Sequence, residues 1–190
     1  MMKVLAISGT PKKGGLTDLL LDRALEGAAA AGAETEKIVL NDLVFRPCID
    51  CGGCDKAGIC VLEDDLKPVY GKLQAADSII MASPVFFGTL SAQLKMMIDR
   101  MQALWVLKYV LKKAPARKRK GAFLCVGGMD TAEYFESAKK IIKIVFAVLN
   151  IEYSGELFFR GANMSGKDAR IRDEMLAKAY ELGESLAKIA

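Results

Sequence analysis

Cys48, Cys51, Cys54 and Cys60 fall within thirteen positions of a 190-residue chain, in the run CIDCGGCDKAGIC. Four thiols at C-x2-C-x2-C-x5-C spacing can ligate a metal ion, hold an iron–sulfur cluster, cycle as a redox disulfide or fill space. Gly52, Gly53 and Gly58 leave the intervening backbone free to wrap a bulky inorganic group. The chain has no histidine, which excludes Ser-His-Asp and Cys-His catalysis and every His-ligated metal site.

Three further stretches carry chemistry. SGTPKKGGLT, residues 8–17, has the G-x-x-x-x-G spacing of a Walker A loop at Gly9 and Gly14. The Lys-Ser/Thr pair that should follow is replaced by Gly15-Leu16, so nucleoside triphosphate hydrolysis is not expected. An anion cradle survives. Ser8, Thr10 and Thr17 offer hydroxyls, Lys12 and Lys13 offer charge, and a helix starting at Gly15 offers free N–H groups at the positive end of its dipole. SPVFFGTLSAQLKMMIDR, residues 83–100, opens with a loop of Pro84, Val85, Phe86, Phe87, Gly88 and Thr89. Backbone groups there can meet the polar edge of a flat heterocycle while the aromatic rings shield it, or the two phenylalanines close the core. GGMD, residues 127–130, lets backbone approach a ring at Gly127 and Gly128. A phosphorylated flat ring is the natural guest of the three loops together.

These loops need a scaffold. Runs at 2–8, 34–40, 77–83, 121–127 and 151–159 read as strands, the third almost wholly apolar. Helical periodicity covers 15–32, 90–107, 131–149 and 168–188, and Asp64-Asp65 are expected to cap another helix running to about Ala76. Five strands alternating with five helices predict an α/β, three-layer sandwich around a parallel sheet. Five strands fit the flavodoxin-like order 2-1-3-4-5, whose ligand sits beyond the carboxyl ends of the strands, where the strand order reverses. One domain over 1–190 is expected, with the cysteine loop 48–60 between strand 2 and helix 2. Cys125 falls inside strand 4 and is expected in the core.

Composition bounds the rest. At 52% apolar and 26% charged residues the chain is expected to be globular. No apolar run approaches the roughly 18 residues of a membrane span, and no secretory signal is evident, so a cytoplasmic address without membrane contact is expected. Residues 108–120 carry seven Lys or Arg and no acid; without them the formal charge would fall from +4 to −3. The run reads as a solvated surface loop or as a dock for an acidic partner. No aromatic interleaving points to nucleic acid.

The sequence resembles the NADPH-dependent FMN reductase superfamily of flavodoxin-like proteins, and most of all its iron–sulfur flavoprotein branch. SGTPKKGGLT is similar to the phosphate loop G-S-P-R-x-x-G-N-T, with Leu16 in place of the usual Asn. SPVFFGTLSAQLKMMIDR is similar to S-P-V-Y-x-G-x-x-S-x-x-L-K-x-x-I-D-R, with Phe86 and Phe87 where Tyr or Trp is frequent. The cysteine cluster is the third match. The resemblance implies an FMN-dependent electron-transfer oxidoreductase linked to NAD(P)H or ferredoxin, and a homodimer or homotetramer. Leu104, Trp105 and Leu107 are candidates for its interface, burial within the monomer being the alternative. Beside it, the compact cysteine run matches bacterial ferredoxins, and with no second set present Cys60 is expected to complete a [4Fe–4S] site. Asp99 and Arg100 read as structural. A cluster-free NAD(P)H-dependent flavin or quinone reductase, and a zinc-stabilised binding module, are the alternatives.

Overall fold

The computed structural model describes residues 1–113, 117–162 and 169–188. Five strands, β1 (Lys3–Ser8), β2 (Glu34–Val39), β3 (Ser78–Pro84), β4 (Arg119–Val126) and β5 (Ile151–Phe159), form one parallel sheet. Their order is β2-β1-β3-β4-β5, the flavodoxin-like order expected. The helices are α1 (Leu16–Ala30), α2 (Lys67–Ala75), α3 (Ala92–Arg100), α4 (Gln102–Trp105), α5 (Ala132–Val148) and α6 (Ala169–Ala187).

The two-residue period of a strand sends alternate side chains to opposite faces. Val4 and Ala6 of β1 join one core with Leu20, Leu21, Ala24 and Ala28 of α1. Leu5 and Ile7 join the other, with Leu73 of α2, Leu94 and Met97 of α3 and Ile142 of α5. Strand β3 is buried from Ser78 through Ser83, as a strand covered on both faces must be. Each such Leu, Ile or Phe contributes about 2 kcal/mol by leaving water, which is what holds the strand tips in place.

Two helix expectations change. The helix expected over 90–107 is divided: α3 stops at Arg100, α4 follows, and Val106–Val110 form a π-helical turn in which Leu111 N–H reaches Val106 C=O at 2.9 Å. The wider turn keeps Val106 buried and leaves Tyr109 and Val110 outside. Asp64 and Asp65 do not cap α2, which opens with Pro68 in its first turn and no side-chain cap. Asp65 instead accepts from Val44 N–H at 2.7 Å, and Asp64 from Arg46 N–H at 3.2 Å, so both acids fasten the segment leading into the cysteine loop.

The basic run 108–120 is not one solvated patch. Lys108 bonds the Ala147 carbonyl and Asn150, Arg117 pairs with Asp77, and Lys120 reaches the Lys188 carbonyl at 3.1 Å. Arg119 is buried, its guanidinium donating to the carbonyls of Leu73, Ala76 and Leu149. Residues 114–116 lie outside the described residues. Among the described residues no helix is long and apolar enough to cross a membrane.

Candidate functional site

A cavity of about 820 Å³ opens beyond the carboxyl ends of the strands. That volume lies inside the range of roughly 300–1,000 Å³ typical of cofactor sites. Three loops wall it, and the backbone ladder of the sheet runs on into them. Gly9 N–H bonds Ala82 C=O at 2.8 Å, Val85 N–H bonds Val126 C=O at 2.7 Å, and Gly127 N–H bonds Phe159 C=O at 2.9 Å. Gly9 must lack a side chain, since a Cβ there would stand 2.7 Å from Leu94 Cβ, where α3 packs on the turn.

Thr10, Lys12, Gly15, Leu16 and Thr17 line the first wall. No side chain caps α1, so the N–H groups of its first turn face the cavity end without an intrahelical acceptor. The turn is shaped by Asp18, which accepts Gly14 N–H at 2.9 Å and pairs with Lys37 at 2.7 Å. Burial opposes ionisation of Asp18, but Lys37 and the Gly14 N–H together hold its carboxyl below the usual range. The negative charge beneath an anion cradle is thereby neutralised.

Pro84, Val85, Phe86, Phe87 and Gly88 line the second wall. Phe86 and Thr89 exchange both backbone hydrogen bonds, at 3.0 and 3.1 Å, around Phe87 (φ 49°) and Gly88 (φ 77°). Two successive positive φ angles make a type I′ turn. Phe86 is half exposed and Phe87 fully exposed at its tip. Gly127 and Gly128 line the third wall.

Three of the residues read as cofactor-binding stand off the cavity wall. Ser8 ends β1 with its hydroxyl buried and turned to the Asp18 carboxylate at 3.5 Å. Lys13 leans outward to Asp42 at 2.8 Å. Thr89 closes the base of the Phe86–Thr89 turn. The wall also includes Pro11, Val126, Met129, Tyr134, Phe135 and Ala162. Tyr134 and Phe135 lie in the first turn of α5, shortly after GGMD, and an aromatic pair there was the one signal that sequence reading could have used.

A second cavity, of about 270 Å³, is lined by Cys48, Cys51, Cys54 and Cys60 together with Arg100. Among the described residues no three Cys, Asp or Glu side chains converge closely enough to hold a single metal ion. The four thiols stand around a space. The loop turns on left-handed residues, Asp50 (φ 50°), Gly52 (φ 68°) and Gly58 (φ 66°). Gly58 also lies against the π-helical turn, where a Cβ would come 2.8 Å from Leu107 Cβ. Burial, then the Asp55 charge, pushes the Cys54 thiol up.

Arg100 is the residue whose role sequence reading missed. Its side chain is fully buried and paired with Asp64, Nη1 to Oδ2 at 2.7 Å and Nη2 to Oδ1 at 3.3 Å. It also donates to the Arg46 carbonyl at 2.9 Å and, through Nε, to Cys60 Sγ at 3.2 Å. Although burial opposes it, Arg100 holds the Asp64 carboxyl below its ordinary range. Tyr70 donates to the Arg100 carbonyl at 2.8 Å; burial, then the charge of Cys60, pushes its hydroxyl well up. Asp99, one residue earlier, is a surface partner of Lys95 at 2.7 Å.

Leu104 is buried and Leu107 packs on the core, so of the three apolar residues noted beside the basic run only Trp105 faces outward. Cys125 lies in the core as expected, its thiol pushed up to about 12 by burial.

Residues 2–153 match the family described as NADPH-dependent FMN reductase. Over 99% of its length the chain is 35% identical to an iron-sulfur flavoprotein of Methanocaldococcus jannaschii, covering 97% of that protein. It is 39% identical over 67% of its length to an iron-sulfur flavoprotein of Methanosarcina thermophila, covering 64% of that one. Among solved structures, an FMN-dependent NADH-azoreductase from Bacillus anthracis in complex with FMN superposes with a TM-score of 0.69. It shares 16% identity over 99% of this chain and 100% of the other, a likeness of fold.

Proposed function

From the premise that the chain belongs to the NADPH-dependent FMN reductase family, on its iron–sulfur flavoprotein branch, we propose that this FMN-dependent oxidoreductase also carries a [4Fe–4S] cluster and joins paired to single electron transfer. The observation that carries the reading is the second cavity, where Cys48, Cys51, Cys54 and Cys60 surround one space beside a buried arginine. Four thiolates around a volume suit a polynuclear cluster; a zinc ion at about 2.3 Å from each sulfur needs thiols drawn together on one point.

The residues at the strand tips fit FMN. Lys12, Thr10, Thr17 and the open first turn of α1 would hold its phosphate, as cation, hydroxyls and helix dipole all favour an anion there. Phe86, Tyr134 and Phe135 would shield the ring from water, and Gly127 and Gly128 would let backbone come close to it. Bound FMN supplies exchange of electrons in pairs, as hydride, or singly, and the cluster supplies one-electron exchange. The protein sets position and charge, and no acid–base side chain is assigned a step. We further propose one domain over 1–190, a homodimer or dimer of dimers, a cytoplasmic setting that keeps the thiols reduced, and NAD(P)H or ferredoxin as redox partner.

Anaerobic purification with iron, sulfide, zinc and flavin analysis, followed by electron paramagnetic resonance of the reduced protein, tests the reading. Iron, sulfide and FMN together support it. FMN without iron leaves a plain flavin or quinone reductase, and zinc without flavin removes both. Cys54→Ala is expected to abolish the cluster signal and leave FMN bound.

A further inference from the structure

Arg100 closes α3, and the other end of that helix begins at the FMN cradle. Ser91, its N-cap, donates to the Gly9 carbonyl at 2.5 Å. Nine residues at about 1.5 Å each make α3 a rod of roughly 14 Å between the two cavities. The segment that resembles the family in the flavin loop thus also delivers a side chain to the cysteine loop.

That side chain is constrained from every direction. Asp64 grips both terminal nitrogens of the guanidinium, and the Arg46 carbonyl takes a further bond. A planar fork held at its terminal nitrogens has its Nε–H direction fixed, and here it points at Cys60 Sγ, 3.2 Å away. With the side chain wholly buried, water does not screen its charge. A structural pair with Asp64 alone would leave Nε without a role.

We infer that Arg100 is the positioning residue for Cys60 and sets the reduction potential of the site that Cys60 helps form; this rests on the cluster reading above. Reduction adds one electron, supplied in a titration by the added reductant, and no proton. The site thus becomes one unit more negative. A buried cation and an N–H bond to a ligand sulfur stabilise that extra charge, so Arg100 raises the potential.

The test uses anaerobically prepared, iron-loaded protein: wild type, Arg100→Gln, Arg100→Lys, Asp64→Asn, and Arg100→Gln combined with Asp64→Asn. The double variant leaves no unpaired buried carboxylate, so it guards against failure of Arg100→Gln to fold. Iron and sulfide content, redox titration monitored by electron paramagnetic resonance, and the iron–sulfur stretching bands in H2O and D2O are read. Arg100→Gln against wild type, or the double variant against Asp64→Asn, should shift the oxidised-to-reduced ratio at fixed potential at least tenfold toward oxidised. For one electron that is about 59 mV. The D2O sensitivity contributed by the Cys60 bond should fall, and Arg100→Lys should restore part of the potential. Equal midpoints in iron-loaded protein overturn the inference while sparing the cluster reading. So does failure of both Gln variants to load iron when wild type does, since Arg100 then only holds the loop. Wild type that binds FMN but no iron or sulfide removes the cluster reading and this inference together.

Discussion

The Ser91 hydroxyl donates to the Gly9 carbonyl across 2.5 Å, and the same oxygen accepts Leu94 N–H at 3.3 Å. One buried atom thus caps α3 and pins the turn after β1 to it. Ser91→Ala loses the cap, about 1 kcal/mol, and leaves a buried carbonyl unpaired, about 1 kcal/mol more. Urea unfolding should show about 2 kcal/mol lost at unchanged slope. The loosened turn must be re-ordered by its ligand, so FMN affinity should fall by up to about tenfold in a fluorescence titration. Wild-type affinity in a destabilised variant would mean that the turn does not depend on α3.

The Asp18–Lys37 pair gives the turn a pH dependence of definite sign. The Asp18 carboxyl lies below its unfolded value of 3.8, so its contribution is present above that value and is lost as pH falls through the lowered folded one. Burial opposes the charge of Lys37, but Asp18 and Asp22 raise its pKa above 10.5; its share is present below 10.5 and is lost as pH rises through the raised value. The stability difference between wild type and Asp18→Asn should therefore be widest between about pH 4 and pH 10 and close at both ends. Urea midpoints in a pH series check this, and a difference that persists unchanged at pH 2.5 would assign the effect to shape alone.

Strands buried on both faces announce themselves as apolar runs, which is why β3 and β4 and the loops at their tips were legible in the sequence. Contacts between distant residues were not. Asp99 and Arg100 are neighbours in sequence but stand about 100° apart around a helix, so one meets Lys95 at the surface while the other reaches Cys60, forty positions away. Asp64 and Asp65 resemble a helix cap because acids suit that place; Arg100 and the Arg46 N–H hold Asp64 instead, and the Val44 N–H holds Asp65. Ser8 and Lys13 carry groups suited to phosphate, and their partners Asp18 and Asp42 lie beyond the segment that reads as the cradle.

Phe87 spends conformational energy at the rim of the strand-tip cavity. A non-glycine residue in the left-handed region costs about 1–2 kcal/mol, and the fully exposed ring makes no burial to offset it. Strain of this kind persists where a ligand or acceptor uses the side chain. Phe87→Asn, which tolerates that φ, should stabilise the protein by about 1 kcal/mol in urea and weaken FMN binding in a fluorescence titration. An unaltered FMN affinity would leave the ring without a role at the cofactor.

Arg119 tests whether the basic run serves the site or the fold. Burial, then the charge of Arg117, pulls its pKa down, yet a guanidinium stays charged in a protein. Its three nearest carbonyl partners lie at the last turn of α2, just beyond it, and at the end of α5, where the negative ends of two helix dipoles meet. Arg119→Gln strands those carbonyls at about 1 kcal/mol each, so urea unfolding should show about 3 kcal/mol lost. Arg119→Lys, a point charge that cannot span all three, should lie between. Arg119 begins β4 and Val126 at its far end lines the strand-tip cavity, roughly 23 Å along the strand. At native-like temperature FMN affinity should therefore match wild type. A loss of FMN binding that outruns the loss of stability would instead tie this cation, and the run that contains it, to the cofactor.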